Sequence, residues 1–373
     1  MTGAAFAGSP RSVVLVLSSL GAGGAERVIA LLANHFAAGG ARVTVIAFDR
    51  ESDPVFHTFD PAVELVRLAI PPQRNGRLGA MGRTARRISL LRRTLRNLAP
   101  EIIISFLIKI NVTVLLASAG LGIPVVVSER NHPGRGNGNA LWSFGRRVAY
   151  RRAAAVVLQT EASRAALPGP IGRRGIVIGN PISCWPRTDE AASGTKILAA
   201  VGRLDPQKGF DLLLPAFAAV ADRLPDWRLV IWGEGPSRPA LEAQRKSLGL
   251  DNRVVMPGTS TTPGGWVATA SAFVLSSRYE GFGNAVVEAM MSGLPVVAFD
   301  CEYGIRILIR DNVDGLLVPP ESVDDLASGI ATLLLDSDLR RRLGSEAAIS
   351  AQRFTPPIIL EKWDKLLRDV LRA

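Results

Sequence analysis

The chain alternates mainly apolar runs of strand length with longer segments of helical period, and it does so twice. Val13–Leu17, Arg42–Phe48, Ile102–Ser105, Val125–Ser128 and Ala155–Leu158 form the first series, with a glycine loop and a helix over Ala25–Phe36 after the first run. Strands separated by helices pair in parallel. The helices then cover both faces of the sheet, so such strands lose their polar alternation. After Ile176-Val-Ile-Gly-Asn-Pro comes the polar stretch CWPRTDEAASGT, and the series restarts. It runs through Ile197–Val201, a helix near Asp211–Asp222, Arg228–Trp232, a helix near Arg238–Leu248, and strands around Val254, Val274, Val296 and Leu317. The expectation is an α/β protein of two facing Rossmann-like doubly wound domains, residues 1–182 and 183–356, with a cleft between them. Residues 357–373 form an amphipathic helix expected to pack back on the first domain.

Composition bounds the function. The 373 residues suffice for two such domains. Lys and Arg exceed Asp and Glu, giving a formal net charge of +11, which favours an anionic partner: nucleic acid, an acidic membrane surface or a phosphorylated substrate. The two cysteines, Cys184 and Cys301, form no Cys-x-x-Cys or Cys/His cluster. That argues against a disulfide scaffold or structural zinc and fits a reducing compartment. MTGAAFAGSPRSVVLVLSS lacks the basic start of a signal peptide. No run reaches the roughly 18–20 apolar residues of a spanning helix. A soluble or peripheral protein is expected.

Several motifs fall where strands end, which is where open α/β sheets bind ligands. In RYEGFGNAVVEAM, residues 278–290, Glu280 and Glu288 stand eight positions apart around the turn Gly281-Phe282-Gly283-Asn284, and Val286, Val287, Met290 and Met291 recur at helical spacing. A helix N-terminus there suits a phosphate; the plain alternative is a capped helix with one solvated Glu. VGRLDPQKGF, residues 201–210, offers Arg203 as a fork and Lys208 as a point charge for a diphosphate, or else a basic surface turn. SSLGAGGAERV puts Gly23 and Gly24 between a strand and a helix, as a diphosphate loop or a simple turn. It fails the dinucleotide fingerprint, because Glu26 stands where Gly is needed, and it lacks a Walker Gly-Lys.

VVVSERNHPGRGNGN releases Glu129, Arg130, Asn131 and His132 from a buried strand. His132 in a cleft would bond a substrate hydroxyl or assist catalysis; otherwise it is a loop residue. His35 and His57 read as structural or surface residues. From Arg74 to Arg96 there are eight arginines and no acid. Ile88, Leu91, Leu95 and Leu98 share a helical face, and Arg86, Arg87, Arg92, Arg93 and Arg96 occupy the rest. Such a helix suits a membrane surface or a polyphosphate, or is a solvated charged face. Interleaved aromatics for single-stranded nucleic acid are missing. Asp311-Asn-Val-Asp314-Gly reads as a turn, so no metal site is expected.

Together these stretches resemble family-4 glycosyltransferases of the GT-B fold over nearly the whole chain. GAGGAER resembles that family's N-terminal Gly-Gly loop, GRLDPQKG its Arg/Lys diphosphate clamp, EGFGNAVVE its E-x7-E motif, and DNVDGLLVPPESVDDLA its C-terminal segment. GGAER, ISFL and the SE near residue 128 make the chain most similar to bacterial enzymes that extend undecaprenyl-diphosphate-linked oligosaccharides. The resemblance implies a retaining, metal-independent transfer from a nucleotide sugar, UDP-sugar favoured over GDP-sugar. The acceptor it implies is a polyprenyl-diphosphate-linked saccharide on the cytoplasmic membrane face, beside an anionic surface.

It assigns Arg203 and Lys208 to the leaving diphosphate, Phe282, Gly283 and Asn284 to backbone donation, Glu288 to the ribose, Glu280 to the donor sugar, and Gly23-Gly24 to closure over the diphosphate. Glu129, Arg130, Asn131 and the basic-helix residues Arg83, Arg86 and Arg87 would meet the acceptor. Relatives carry His directly after the SE; here Arg130 stands there, so the catalytic-side role moves to His132. Glu302, in DCEYGI, would face the donor sugar. A nucleic-acid-binding protein and a dinucleotide-dependent dehydrogenase or epimerase are the competing readings. No nucleic-acid module supports the first, and the failed fingerprint opposes the second.

Overall fold

The computed structural model describes all residues except 1–9, 22, 71–76, 131–139, 168, 188–195, 261 and 302–303. The chain divides into two compact units: Met1–Pro181 with Pro356–Ala373, and Ile182–Thr355.

In the first unit, elements follow in the order β1 (Ser12–Leu17), α1 (Gly24–Ala38), β2 (Arg42–Ala47), β3 (Val63–Arg67), α2 (Arg77–Leu98), β4 (Ile102–Phe106), α3 (Ile108–Ala117), β5 (Val125–Ser128), α4 (Ala140–Ala149), β6 (Ala155–Leu158), α5 (Glu161–Ala165), α6 (Gly169–Gly172) and β7 (Gly175–Val177). The sheet is parallel, with order β3-β2-β1-β4-β5-β6-β7. Strands β4, β5 and β6 are buried along their whole length, as the missing polar alternation requires. Edge strand β3 was not anticipated. It is short, partly exposed and polar on one side, and Glu64 accepts a hydrogen bond from Thr44 at 3.0 Å.

The second unit contains β8 (Lys196–Val201), α7 (Phe210–Ala221), β9 (Trp227–Trp232), α8 (Arg238–Ser247), β10 (Val254–Gly258), β11 (Ala272–Leu275), α9 (Asn284–Met291), β12 (Val296–Phe299), β13 (Leu316–Val318), α10 (Val323–Leu335) and α11 (Ser337–Ala351). Its parallel sheet has the order β10-β9-β8-β11-β12-β13. In each sheet the order reverses once, between β1 and β4 and between β8 and β11. Crossovers on the two sides of such a point leave in opposite directions, so a crevice opens at the carboxyl ends of its strands.

Helix α12 (Pro356–Arg372) belongs to the first unit. Trp363 is fully buried and stacks on Phe106 of β4, with ring centroids 6.2 Å apart. The Arg130 guanidinium lies 4.6 Å from the Phe106 ring and 6.0 Å from that of Trp363. On the α1 side, His35 Nε2 lies 2.9 Å from an oxygen of Asp364. Trp363→Ala is therefore expected to lower the unit's stability by about 3–5 kcal/mol through loss of buried area and the cavity left behind. Urea unfolding checks this; an unchanged midpoint would show that α12 is not integral to the core.

Candidate active site

The loops leaving β8 and β11 meet at the second unit's reversal point and are stitched together by hydrogen bonds to their backbone carbonyls. Arg278 N–H donates to Gln207 O at 2.8 Å, Gln207 Nε2 to Tyr279 O at 3.0 Å, and Ser276 Oγ to Lys208 O at 2.9 Å. Gly209 makes the approach possible. Its φ is +63°, and a Cβ there would lie 2.0 Å from Ser276 O. Gly202 has a related role, because a Cβ would meet the Lys208 methylenes at 2.9 Å.

This stitching brings Lys208 to Glu280. The ammonium lies 2.6 Å from Glu280 Oε1, which also accepts from Ser277 Oγ at 2.7 Å. Glu280 is buried, so the ion pair is poorly screened. Arg203 is placed differently: its side chain is largely exposed and paired with Asp205. The two cations thus sit in unlike settings, one on a buried carboxylate and one at the surface. Cys301, at the end of β12, has its thiol pushed up to about 12 by burial and by the charge of Glu280, so it stays protonated.

Gly283 adopts a left-handed φ of 90° and starts α9. The neighbouring Phe282 side chain is not part of the polar site. It is buried and packs edge-on against Phe354 at 5.2 Å, so its contribution there is limited to its backbone. Glu288, on the second turn of α9, is buried and accepts from Trp266 Nε1 at 3.1 Å. The sequence reading did not find Trp266, Ser277 or Arg278. Arg278 forks onto both oxygens of Asp211 at 2.9 and 2.7 Å, which holds the Asp211 carboxyl below its usual range and braces the turn before Glu280.

In the first unit, Gly23 caps α1 and Gly24 begins it. The Gly23 backbone is covered: a Cβ there would fall 2.0 Å from Glu26 Oε2. Burial raises the pKa of Glu26, and burial also lowers that of His57, whose Nε2 lies 3.3 Å from Gly23 O. Glu129 is buried 3.9 Å from Arg146, and burial raises its pKa.

Three arginines differ from their expected exposure or freedom. Arg130 is buried, hydrogen-bonded to Asn180 and stacked on two rings, and burial lowers its pKa to about 9. Arg87 donates to Ile70 O from Nε at 3.1 Å and Nη2 at 2.6 Å and lies over the Phe48 ring. Arg92 donates to Ala117 O and Ala119 O. These three brace the fold, and two of them, Arg130 and Arg87, are residues expected to meet the acceptor. Arg86 is exposed, Arg83 is half-buried, and Asn131, His132 and Glu302 lie outside the described residues. Among the described residues no group of three or more His, Cys, Asp or Glu is placed to hold a metal ion, and no helix is long and apolar enough to cross a membrane.

Residues 23–180 match the family described as Glycosyl transferase 4-like domain, and residues 185–349 match Glycosyl transferases group 1. A Campylobacter jejuni GalNAc-alpha-(1->4)-GalNAc-alpha-(1->3)-diNAcBac-PP-undecaprenol alpha-1,4-N-acetyl-D-galactosaminyltransferase is 28% identical over 286 residues, 76% of this chain and 79% of that protein. With several other curated relatives the match spans only 23% to 48% of their length. Sucrose-phosphate synthase from Thermosynechococcus elongatus superposes with a TM-score of 0.85 at 20% identity, covering 97% of this chain and 100% of that one. Anabaena Alr3699/HepE, solved with UDP-glucose, gives 0.77 at 22% identity, covering 96% and 99%. The two structures establish the GT-B fold.

Because Gly209 has no room for a side chain, Gly209→Ala is expected to destabilise the protein by at least about 2 kcal/mol. Thermal unfolding measures it; a midpoint equal to the wild type would mean that the two loops are not packed as described.

Proposed function

We propose that this chain, which belongs to the glycosyltransferases built from these two domains, moves a sugar from a nucleotide sugar to a lipid-linked saccharide. The observation that carries the reading is the set at the β8/β11 reversal point: a cation on a buried carboxylate, an exposed arginine beside it in sequence, and a left-handed glycine opening a helix. Lys208 and Arg203 neutralise the diphosphate as it leaves, the electrostatic contribution that such a transfer needs most. A bound diphosphate competes with Glu280 for the Lys208 ammonium, which releases Glu280 to accept a hydroxyl of the donor sugar. Backbone N–H groups at the start of α9 receive phosphate oxygens, and Glu288 accepts from the ribose. The transfer proceeds with retention and without a metal. UDP is the favoured diphosphate; the Anabaena relative in fold holds UDP-glucose. A GDP-sugar is the second reading.

The acceptor side belongs to the first unit. The Campylobacter relative's name gives it an undecaprenyl-diphosphate acceptor, and the chemistry here suits one. Helices α2, α3 and α4 lie side by side and carry no acidic residue. On α4, Phe144 and Val148 are 66% and 51% exposed, with Arg147 exposed between them in sequence. An acid-free, partly apolar face supports docking on the anionic inner face of the cytoplasmic membrane.

Two experiments test this. A nucleoside diphosphate at about a hundred times its dissociation constant should add about 2.7 kcal/mol of stability. Arg203→Ala and Lys208→Ala should each weaken that binding by about ten-fold or more, as expected for a charged hydrogen bond. A shift with NAD or DNA alone, or full turnover in both variants, would overturn the transferase reading. For the membrane, Arg86→Glu with Arg93→Glu should release the protein from phosphatidylglycerol vesicles, at about 1 kcal/mol per arginine removed. Unchanged cosedimentation would remove the anionic surface from the list of partners. Arg87 and Arg92 are unsuitable for this test because they hold backbone carbonyls.

A further inference from the structure

Glu288 is a buried carboxylate on a helix, and a glutamate side chain has several rotamers. One of the groups that hold it is the indole of Trp266. Trp266 is 2% exposed, and its Nε1–H donates to Glu288 Oε2 at 3.1 Å. An indole N–H can only donate, so this bond holds the glutamate as an acceptor and fixes which oxygen faces the ring.

The indole is itself held from two directions. Its ring lies against Phe273 of β11, with centroids 5.2 Å apart. The chain entering it passes through Gly264, with φ +71° and a would-be Cβ only 2.2 Å from the Trp185 ring, and through Gly265, whose Cβ would meet Thr262 Oγ1 at 2.5 Å. A side chain at Gly264 would be strained by the positive φ and would run into the Trp185 ring. The Trp185 segment also grips the far end of α9, because Ser292 Oγ donates to Trp185 O at 3.1 Å and Cys184 Sγ lies 3.5 Å from Met291 O. The helix carrying the carboxylate and the indole that holds it are therefore braced by the same short stretch.

We propose that Trp266 is a positioning residue: it presents the Glu288 carboxylate to the ribose hydroxyls of the donor nucleotide. This rests on the reading of Glu288 given above. The indole is buried and its N–H is engaged by Glu288, so its contribution is made through that carboxylate and belongs to nucleotide binding rather than to the chemical step.

Trp266→Phe keeps a six-membered ring against Phe273 and removes the five-membered ring that carries the N–H donor. The measurement is binding of UDP and of 2′,3′-dideoxy-UDP by calorimetry, together with KM and kcat, in wild type, Trp266→Phe and Glu288→Ala; the GDP pair replaces them if GDP is the diphosphate that stabilises the wild type. The expected result is an affinity for the ribonucleotide about ten-fold weaker in Trp266→Phe, a KM raised to match, a nearly unchanged kcat, a lowered thermal midpoint with the fold retained, and no penalty with the dideoxy nucleotide. In the Trp266→Phe, Glu288→Ala double variant the two penalties should not add. Wild-type affinity in Trp266→Phe, or an equal loss for both nucleotides, overturns the positioning role while leaving Glu288 in place. If Glu288→Ala itself weakens both nucleotides equally, or neither, the ribose reading of Glu288 falls, and the role of Trp266 with it.

Discussion

Strands β8 and β11 belong to a parallel sheet, so helices cover it and polar chemistry is confined to the strand ends. There the two outgoing loops approach so closely that a carbonyl of one occupies the space beside the α-carbon of Gly209 in the other. The rest of the site depends on that contact. It sets the direction of Lys208, which sets its pairing with Glu280, while Arg278 and Asp211 brace the turn from outside. A lysine and a glutamate seventy-two positions apart become neighbours because two backbones touch and the side chains of Gln207 and Ser276 bond across to the opposite loop.

The sequence was most informative where physics leaves few choices. Apolar, β-branched runs such as Val125–Ser128 and Val296–Phe299 read as buried strands, and glycines at strand ends mark close backbone approach. Strand β3 escaped because an edge strand is free to alternate, and β7 because three residues carry no period. In the site, charged residues in motifs were legible, whereas their partners were not. Trp266 and Ser277 are ordinary core and turn residues until the fold sets them against a carboxylate. Nothing in the spacing of RYEGFGNAVVEAM shows that Phe282 turns inward while its peptide stays at the helix start.

Charge shows the same limit. A net excess of cations reads as an anionic partner, yet several arginines serve as internal cross-links. Arg87, Arg92 and Arg253 satisfy backbone carbonyls near the ends of helices and strands, and Arg130 lies over the Phe106 ring and beside that of Trp363. The guanidinium suits this work because its flat, forked donors reach several carbonyls at once and its face packs on rings. The exposed cations of the acid-free helices, not the total, describe what the surface attracts.

The return of α12 to the first unit orders events during synthesis. Residues 182–355 are contiguous and have every strand of their sheet once the chain has emerged to Thr355. The first unit has its seven strands much earlier, but the place beside Phe106 and Arg130 stays empty until Trp363 arrives. The half that is made first is thus the last to finish its core, and a ribosome that stalls before α12 leaves an apolar slot open on an otherwise complete sheet.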